Sequence, residues 1–397
     1  KKSLLFVILL AIFSGCQKTG QVTPPTILRM DPSAGATGTY VIIYGSNFDT
    51  IASANLVSFN GIYTQVIAAS DSMLIVQAPA GVTTGKVTVT RKSQKTTSAN
   101  DFVVLPGSWT QKKDFPDVNG RFSAVGFSIG NKGYVGFGGH TGFPQDGLFM
   151  YDPETDSWSQ QASSGIRMMQ AVAVTVNNKA YLGIGLTDQT TNGYTNSFFE
   201  YDPVLNNYTA KTDFPGAGRY GAVGVSLNNK IYVGLGNSGT YPQQSYNDIW
   251  QYDPATDVWT RKADVPLPLG LGYSIAFSLD DSTTYVCNGS AGGPPPVLWL
   301  YNANTDQWTQ KNNLPFSFSW GPCAMVIGKD AYVLNGWDQN WLYNPASDTW
   351  TQKAFFTSRM LGVSFVIGNK GYFGLGSGVE LPQADHYINT DWWEFTP

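Results

Sequence analysis

One phrase recurs through the chain: an aromatic strand, Tyr-Asp-Pro or a near variant, then an aromatic residue seven places after the Tyr. Its copies run from Tyr151 to Trp158, Tyr201 to Tyr208, Tyr252 to Trp259, Tyr301 to Trp308 and Tyr343 to Trp350. A further copy is cut in two. Its front half, Trp393-Glu394-Phe395-Thr396-Pro397, ends the chain, and its back half, Ser108-Trp109-Thr110-Gln111-Lys112, lies about 280 residues earlier. A unit completed only by joining the two ends of an array describes a closed ring, which leaves no sheet edge unpaired at the seam.

The closing aromatics are spaced by 49, 50, 51, 49 and 42 residues. A period near 50 with four short strands per unit predicts a six-bladed β-propeller over residues 106–397. The chain has 43 Gly, 21 Tyr, 22 Phe and 12 Trp but only 13% charged residues, which favours short strands and tight turns over helices. Each unit carries an inner hairpin: Val125 to Ile129, a turn at Asn131-Lys132, then Tyr134-Val135-Gly136-Phe137-Gly138-Gly139. Asn178-Lys179, Asn229-Lys230 and Asn369-Lys370 open its counterparts. In the Asp-Pro segments, Asp starts a turn and Pro presets the next φ. The following aromatic (Trp109, Trp158, Tyr208, Trp259, Trp308 or Trp350) is expected to wedge against the neighbouring unit. The set resembles the kelch repeat, with Gly-x-Gly in place of the usual Gly-Gly in several units; Gly138-Gly139 comes nearest to the usual form.

The N-terminal part reads differently. Lys1-Lys2, the apolar run Leu4 to Phe13 and Ser14-Gly15-Cys16 read as a signal peptide over residues 1–15. Phe13-Ser14-Gly15-Cys16 resembles a bacterial lipobox, which implies cleavage before Cys16, lipidation of its sulfur and anchoring to a membrane. Residues 16–24 form a polar tether. From Pro25 to Leu105, β-branched runs alternate with Gly-rich turns: Ile27-Leu28, Tyr40 to Tyr44, Leu56 to Phe59, Met73 to Val76 and Lys86 to Thr90. Asn60-Gly61 signals a hairpin. This spacing predicts a β-sandwich. Asp31-Pro32-Ser33-Ala34-Gly35 with Val41 to Phe48, and Val57-Ser58-Phe59-Asn60-Gly61 with Ala78-Pro79-Ala80-Gly81, look like an IPT/TIG domain. That resemblance implies an immunoglobulin-like spacer or interaction module.

The fold class is therefore all-β, an immunoglobulin-like sandwich followed by the propeller. The formal net charge of −4 and the lack of long basic runs argue against nucleic acid as a partner. Positions that differ between units while sharing one place are the candidates for recognition. Just before each inner strand stand Arg121-Phe122, Met168-Met169, Arg219-Tyr220, Gly272-Tyr273, Ser319-Trp320 and Arg359-Met360. These are expected to ring the channel mouth, with Arg121, Arg219 and Arg359 presenting guanidiniums and Phe122, Tyr220, Tyr273 and Trp320 aromatic faces. Packing between blades is the competing role for the arginines. Long loops of units one, two, three and six add Tyr194, Tyr241, Tyr246 and Tyr387.

Catalytic signals are sparse. The histidines, His140 and His386, fall in equivalent loops of units one and six, but neither has metal-ligand spacing with a Cys or carboxylate. No cofactor or metal is therefore expected, and the copper chemistry of galactose-oxidase-type kelch propellers is set aside. Sialic-acid mutarotases are also kelch-like, and Glu200 or Glu380 is the carboxylate such chemistry would need. Cys287 and Cys323 are expected as buried free thiols. The leading expectation is a monomeric envelope lipoprotein, on the outer membrane as in Bacteroidetes proteins of similar make-up. Its propeller would bind a glycan or a protein partner; a mutarotase or epimerase is the alternative.

Overall fold

The computed structural model describes residues 23–140, 143–188, 193–239, 244–266, 273–289, 295–318, 320–336, 339–355, 359–380 and 385–397. Cys16 and the signal segment lie outside them. The chain divides into two compact units, the second taking Gly35–Thr39 and Val104–Pro397.

The first unit is the expected sandwich. One sheet orders Thr26–Asp31, Tyr40–Ser46, Met73–Gln77 and Val66–Ala69; the other orders Ala34–Gly35, Gln94–Val104, Gly85–Arg91, Asn55–Phe59 and Ile62–Thr64. Alternate residues point inward. Val41, Ile43, Leu74 and Val76 from the first sheet and Val57, Phe59, Val87, Val89 and Phe102 from the second are fully buried. The Phe59 and Phe102 rings meet edge to face at 5.0 Å. Asn60 and Gly61 adopt φ of 43° and 88° and join Phe59 to Ile62, as the hairpin signal requires. Gln94–Val104 was not legible as a strand, because only Ser98 and Phe102 of its polar length turn inward.

The second unit is built from six four-stranded blades. Blade 1 runs Phe122–Ile129, Lys132–His140, Leu148–Asp152 and Ser157–Gln160 from the inside out, with Phe143–Pro144 folded back on the second strand. Blade 2 is Val172–Val176, Lys179–Leu186, Tyr194–Asp202 and Asn207–Lys211; blade 3 is Val223–Leu227, Lys230–Gly234, Ile249–Asp253 and Val258–Lys262. Blade 4 is Tyr273–Phe277, Thr283–Gly289, Val297–Asn302 and Gln307–Gln310; blade 5 is Cys323–Ile327, Asp330–Leu334, Asn340–Asn344 and Thr349–Lys353. Blade 6 takes Val363–Ile367, Lys370–Gly374 and Trp392–Thr396 from the end of the chain and its outer strand, Ser108–Lys112, from the beginning. Trp109 pairs with Phe395 across that seam, and the inner strand of blade 6 packs on that of blade 1. The ring is closed as the split repeat requires.

The repeated phrase is an inter-blade staple. Tyr151, Tyr252, Tyr301 and Tyr343 donate their hydroxyls to Asp156, Asp257, Asp306 and Asp348 at 2.6–2.7 Å. Each of those carboxylates also accepts a backbone N–H from the end of the preceding blade: Lys113, Thr212, Ala263 and Asn312. Trp109, Trp158, Trp259 and Trp308 donate their indole N–H to the carbonyls of Ala354, Lys113, Thr212 and Ala263 at 2.9–3.0 Å. Cys287 and Cys323 are both free thiols. Cys287 lies on the second strand of blade 4.

Candidate functional site

Of the residues just before the inner strands, Tyr220 borders a hollow on the ring axis, whereas the arginines are turned into the blades. Arg219 is wholly buried. Its guanidinium holds both oxygens of Asp248, at 2.5 and 3.0 Å, and the carbonyls of Leu235 and Ala217 at 3.0 and 2.9 Å. Tyr246 covers it at 4.0 Å. Burial pulls the Asp248 carboxyl upward, but the bonds and charge of Arg219 outweigh that and hold it below the usual carboxylate range. Arg121 binds the carbonyls of Phe137 and Gly147 at 3.0 and 2.9 Å and Asp117 at 3.1 Å, with Phe115 and Phe149 beside it. Arg359 is 4% exposed and binds the Leu375 carbonyl at 3.1 Å and the Asp391 carboxylate. The expectation of three guanidiniums facing a shared depression is therefore corrected. These groups cross-link the first strand of a blade to the turn between its second and third strands.

The aromatic candidates divide. Trp320 stands out at 53% exposure. Tyr220 is half-buried; its backbone exchanges hydrogen bonds with Asn237 at 2.9 Å each, and its ring stacks on Tyr194 at 5.9 Å and 18°. Phe122 opens the first strand of blade 1 opposite Gly139. Tyr273 opens that of blade 4, but its side chain lies outside the described residues, as do Tyr241 and the Tyr387 side chain. Tyr246 shares a 2.7 Å hydrogen bond with Ser238.

Between these residues lies a hollow of about 140 Å³, and its rim was not foreseen. Six residues border it in equivalent positions, two after the arginine slot: Ser123, Gln170, Gly221, Ser274, Gly321 and Leu361. Ser123, Gln170, Gly221, Gly321 and Leu361 all have φ between 51° and 73°. They form a hoop of main-chain bonds from blade to blade. Ser123 N–H donates to Leu361 O at 2.9 Å, Gln170 to Ser123 O at 3.0 Å, Gly221 to Gln170 O at 3.0 Å and Leu361 to Trp320 O at 2.8 Å. The left-handed turn is what aims each N–H sideways at the next blade instead of along its own strand. The sequence signal was faint: glycine fills only two of the six slots.

Deeper along the axis, a cavity of about 230 Å³ is walled by inner-strand backbone, with Cys323 and Ser364 among its side chains. Gly126 is required there, since a Cβ would stand 2.4 Å from the Ser364 carbonyl oxygen. Burial pushes the Cys323 thiol up to about 12, so it is inert as a nucleophile at neutral pH. Glu200 lies on the third strand of blade 2, bonded to Lys179 at 2.6 Å, Tyr181 at 2.8 Å and Lys211 at 3.2 Å. Burial raises its pKa and these three partners more than reverse that, so it is held as a carboxylate. The side chains of Glu380 and His386 lie outside the described residues. Among the described residues no group of three His, Cys, Asp or Glu side chains could hold a metal.

Comparison with known proteins agrees with this division. The IPT/TIG domain model matches residues 25–104, and the Kelch motif matches residues 218–266. The N-acetylneuraminate epimerase of Yersinia enterocolitica is 32% identical over 120 residues, 29% of each chain. That of Salmonella typhi is 34% identical over 79 residues, 19% of this chain and 20% of its own. Kelch-like protein 24 of Rattus norvegicus is 33% identical over 128 residues, 31% of this chain and 19% of its own. The chain thus spans less than a third of each of these relatives. The solved structure of YjhT superimposes with a TM-score of 0.58 at 16% identity, covering 72% of this chain and 97% of that one. The architecture is that of an IPT/TIG sandwich followed by kelch repeats arranged as blades, distantly similar to N-acetylneuraminate epimerase.

Proposed function

We propose that the propeller handles a free sugar at this mouth, as an epimerase or mutarotase acting at the anomeric carbon of an acidic or N-acylated sugar. The observation that carries this is the local likeness to N-acetylneuraminate epimerases, recurring in two of them and over up to 120 residues. A hollow bordered by Tyr220 and by neutral polar residues (Ser123, Gln170, Ser274) fits a hydroxyl-rich ring. Ring opening and closure needs one group to take the anomeric hydroxyl proton and another to protonate the ring oxygen.

A second reading, binding without turnover, is favoured by the side chains around the hollow. Among the described residues they are Ser, Ala, Gln, Tyr, Gly, Pro and Leu, none of which is a ready proton carrier at neutral pH. In that case the propeller is a recognition module for a glycan or protein partner. We also propose that Cys16 carries a lipid anchor in the cell envelope, on the lipobox-like residues before it. NMR of a freshly dissolved single anomer of N-acetylneuraminate separates the two roles. Faster approach to anomeric equilibrium than in buffer marks the enzyme, and saturation transfer without acceleration marks the binder. Neither effect, with neutral sugars tried as well, refutes sugar handling. Loss of fatty-acid labelling in Cys16→Ser tests the anchor; labelling that survives overturns it.

A further inference from the structure

Blade 2 carries the one long polar side chain of the hoop. Blades 3 and 5 place Gly221 and Gly321 in the left-handed slot, where glycine is at ease, whereas blades 1, 2 and 6 hold Ser123, Gln170 and Leu361 there at φ 51–56°. A long polar side chain kept against that backbone preference suggests a use for the side chain itself. Gln170 Oε1 is buried and has no hydrogen-bond partner among the described residues, although an unanswered buried acceptor is destabilising. The residue borders the axial hollow, and its main-chain carbonyl takes the N–H of Gly221 at 3.0 Å. The residue before Gly221 is Tyr220, which borders the same hollow. Tyr194 backs that ring at 5.9 Å and is itself pinned by the Gly239 N–H, which donates to its hydroxyl at 2.8 Å. A buttressed aromatic residue and an unanswered acceptor thus border one hollow from adjacent blades.

We infer that Gln170 and Tyr220 form one ligand subsite. Tyr220 stacks on the apolar face of a pyranose ring, and Gln170 Oε1 accepts a hydrogen bond from an O–H or N–H that the ring carries. This rests on the sugar-handling reading above and assigns recognition to neutral groups in place of the three buried arginines. The test uses the full chain and its Gln170→Gly, Tyr220→Ala and Tyr220→Phe variants, titrated with N-acetylneuraminate, N-acetylmannosamine and mannose by calorimetry and saturation-transfer NMR. Gln170→Gly keeps the hoop, because glycine already serves in blades 3 and 5. Loss of one buried hydrogen bond or one stacking face is expected to weaken binding about tenfold, with Tyr220→Phe within about twofold of the parent. Unfolding midpoints of Gln170→Gly and Tyr220→Phe should match the parent. Parent binding that neither Gln170→Gly nor Tyr220→Ala weakens overturns the subsite alone. A parent chain that neither binds nor converts any of the sugars removes the sugar reading, and the subsite with it.

Discussion

Replacing Arg219 by Met tests whether the mouth arginines hold blades or read ligands. The guanidinium is wholly buried and its carboxylate partner, Asp248, is 13% exposed. Arg219→Met leaves that carboxylate with the Trp250 indole N–H at 2.8 Å and strips a donor from the Leu235 carbonyl. Removing one partner of a buried ion pair costs roughly 3–5 kcal/mol, and the surviving Trp250 bond places this case near about 3. The molecule contains its own control. Blade 2 buries Met168 completely in the arginine slot, and there the position of Asp248 is taken by Ser197. Arg219→Met with Asp248→Ser recreates that solution and should lie within about 1 kcal/mol of the parent, recovering about 2 kcal/mol of the single variant's loss. Urea unfolding followed by tryptophan fluorescence reads the propeller alone, because all 12 Trp lie from Trp109 onward. In a thermal scan the single variant should fall by about 6–12 °C, at 2–4 °C per kcal/mol for a unit of this size. A single variant less than about 1 kcal/mol weaker, or a double no better than the single, refutes the clamp.

Acid should weaken the propeller in a defined window. Burial raises the carboxyls of Glu200, Asp156 and Asp257, but their hydrogen bonds and neighbouring lysines leave each below its ordinary value. A depressed folded pKa gives stability that is complete above the unfolded values of about 4 and is lost as pH falls through the lower folded ones. Unfolding free energy should be flat from pH 7 to about 5 and fall steeply below about 4; a steady loss beginning above pH 6 would contradict this. Tyr252→Phe, which removes a 2.6 Å bond to Asp257, should cost about 1 kcal/mol, and Asp257→Ala about 2, since it also strands the Thr212 N–H. Equal unfolding midpoints for parent and variants would rule out the staple. Deleting Asp391 to Pro397 removes the buried Trp392 and Phe395, each a loss of about 3–5 kcal/mol, and unpairs Ser108–Lys112. Set against a usual stability of 5–15 kcal/mol, this should unfold the whole ring, which hydrogen exchange would register in all blades at once; fraying confined to blade 6 would count against closure.

How much of this was legible follows from which signals repeat. The aromatic phrase gave the blades and the composite closure because covalent spacing and burial act on it in every copy. Trp109 opposite Phe395 could be placed from counting alone. The arginines were located correctly along the chain and misjudged in direction. A register argument says which residues share a level on the axis, but a single side chain can point to the channel or into the blade. The deciding clue was a pairing across units: where the slot holds Arg219 or Arg359 the later position holds Asp248 or Asp391, where it holds Met168 that position is Ser197, and in blade 1, where it is Gly147, Arg121 takes the Asp117 carboxylate instead. A residue that changes in step with a partner in its own blade serves the blade. Gln170 shows the opposite pattern. It varies against Ser, Gly and Leu in the same hoop, its Oε1 has no partner among the described residues, and its backbone is one glycine would suit better. Its slot left only a faint mark in the sequence because the hoop is made by main-chain atoms, which any residue supplies. Variation that the scaffold does not need and that local packing does not answer is where a ligand has something to read.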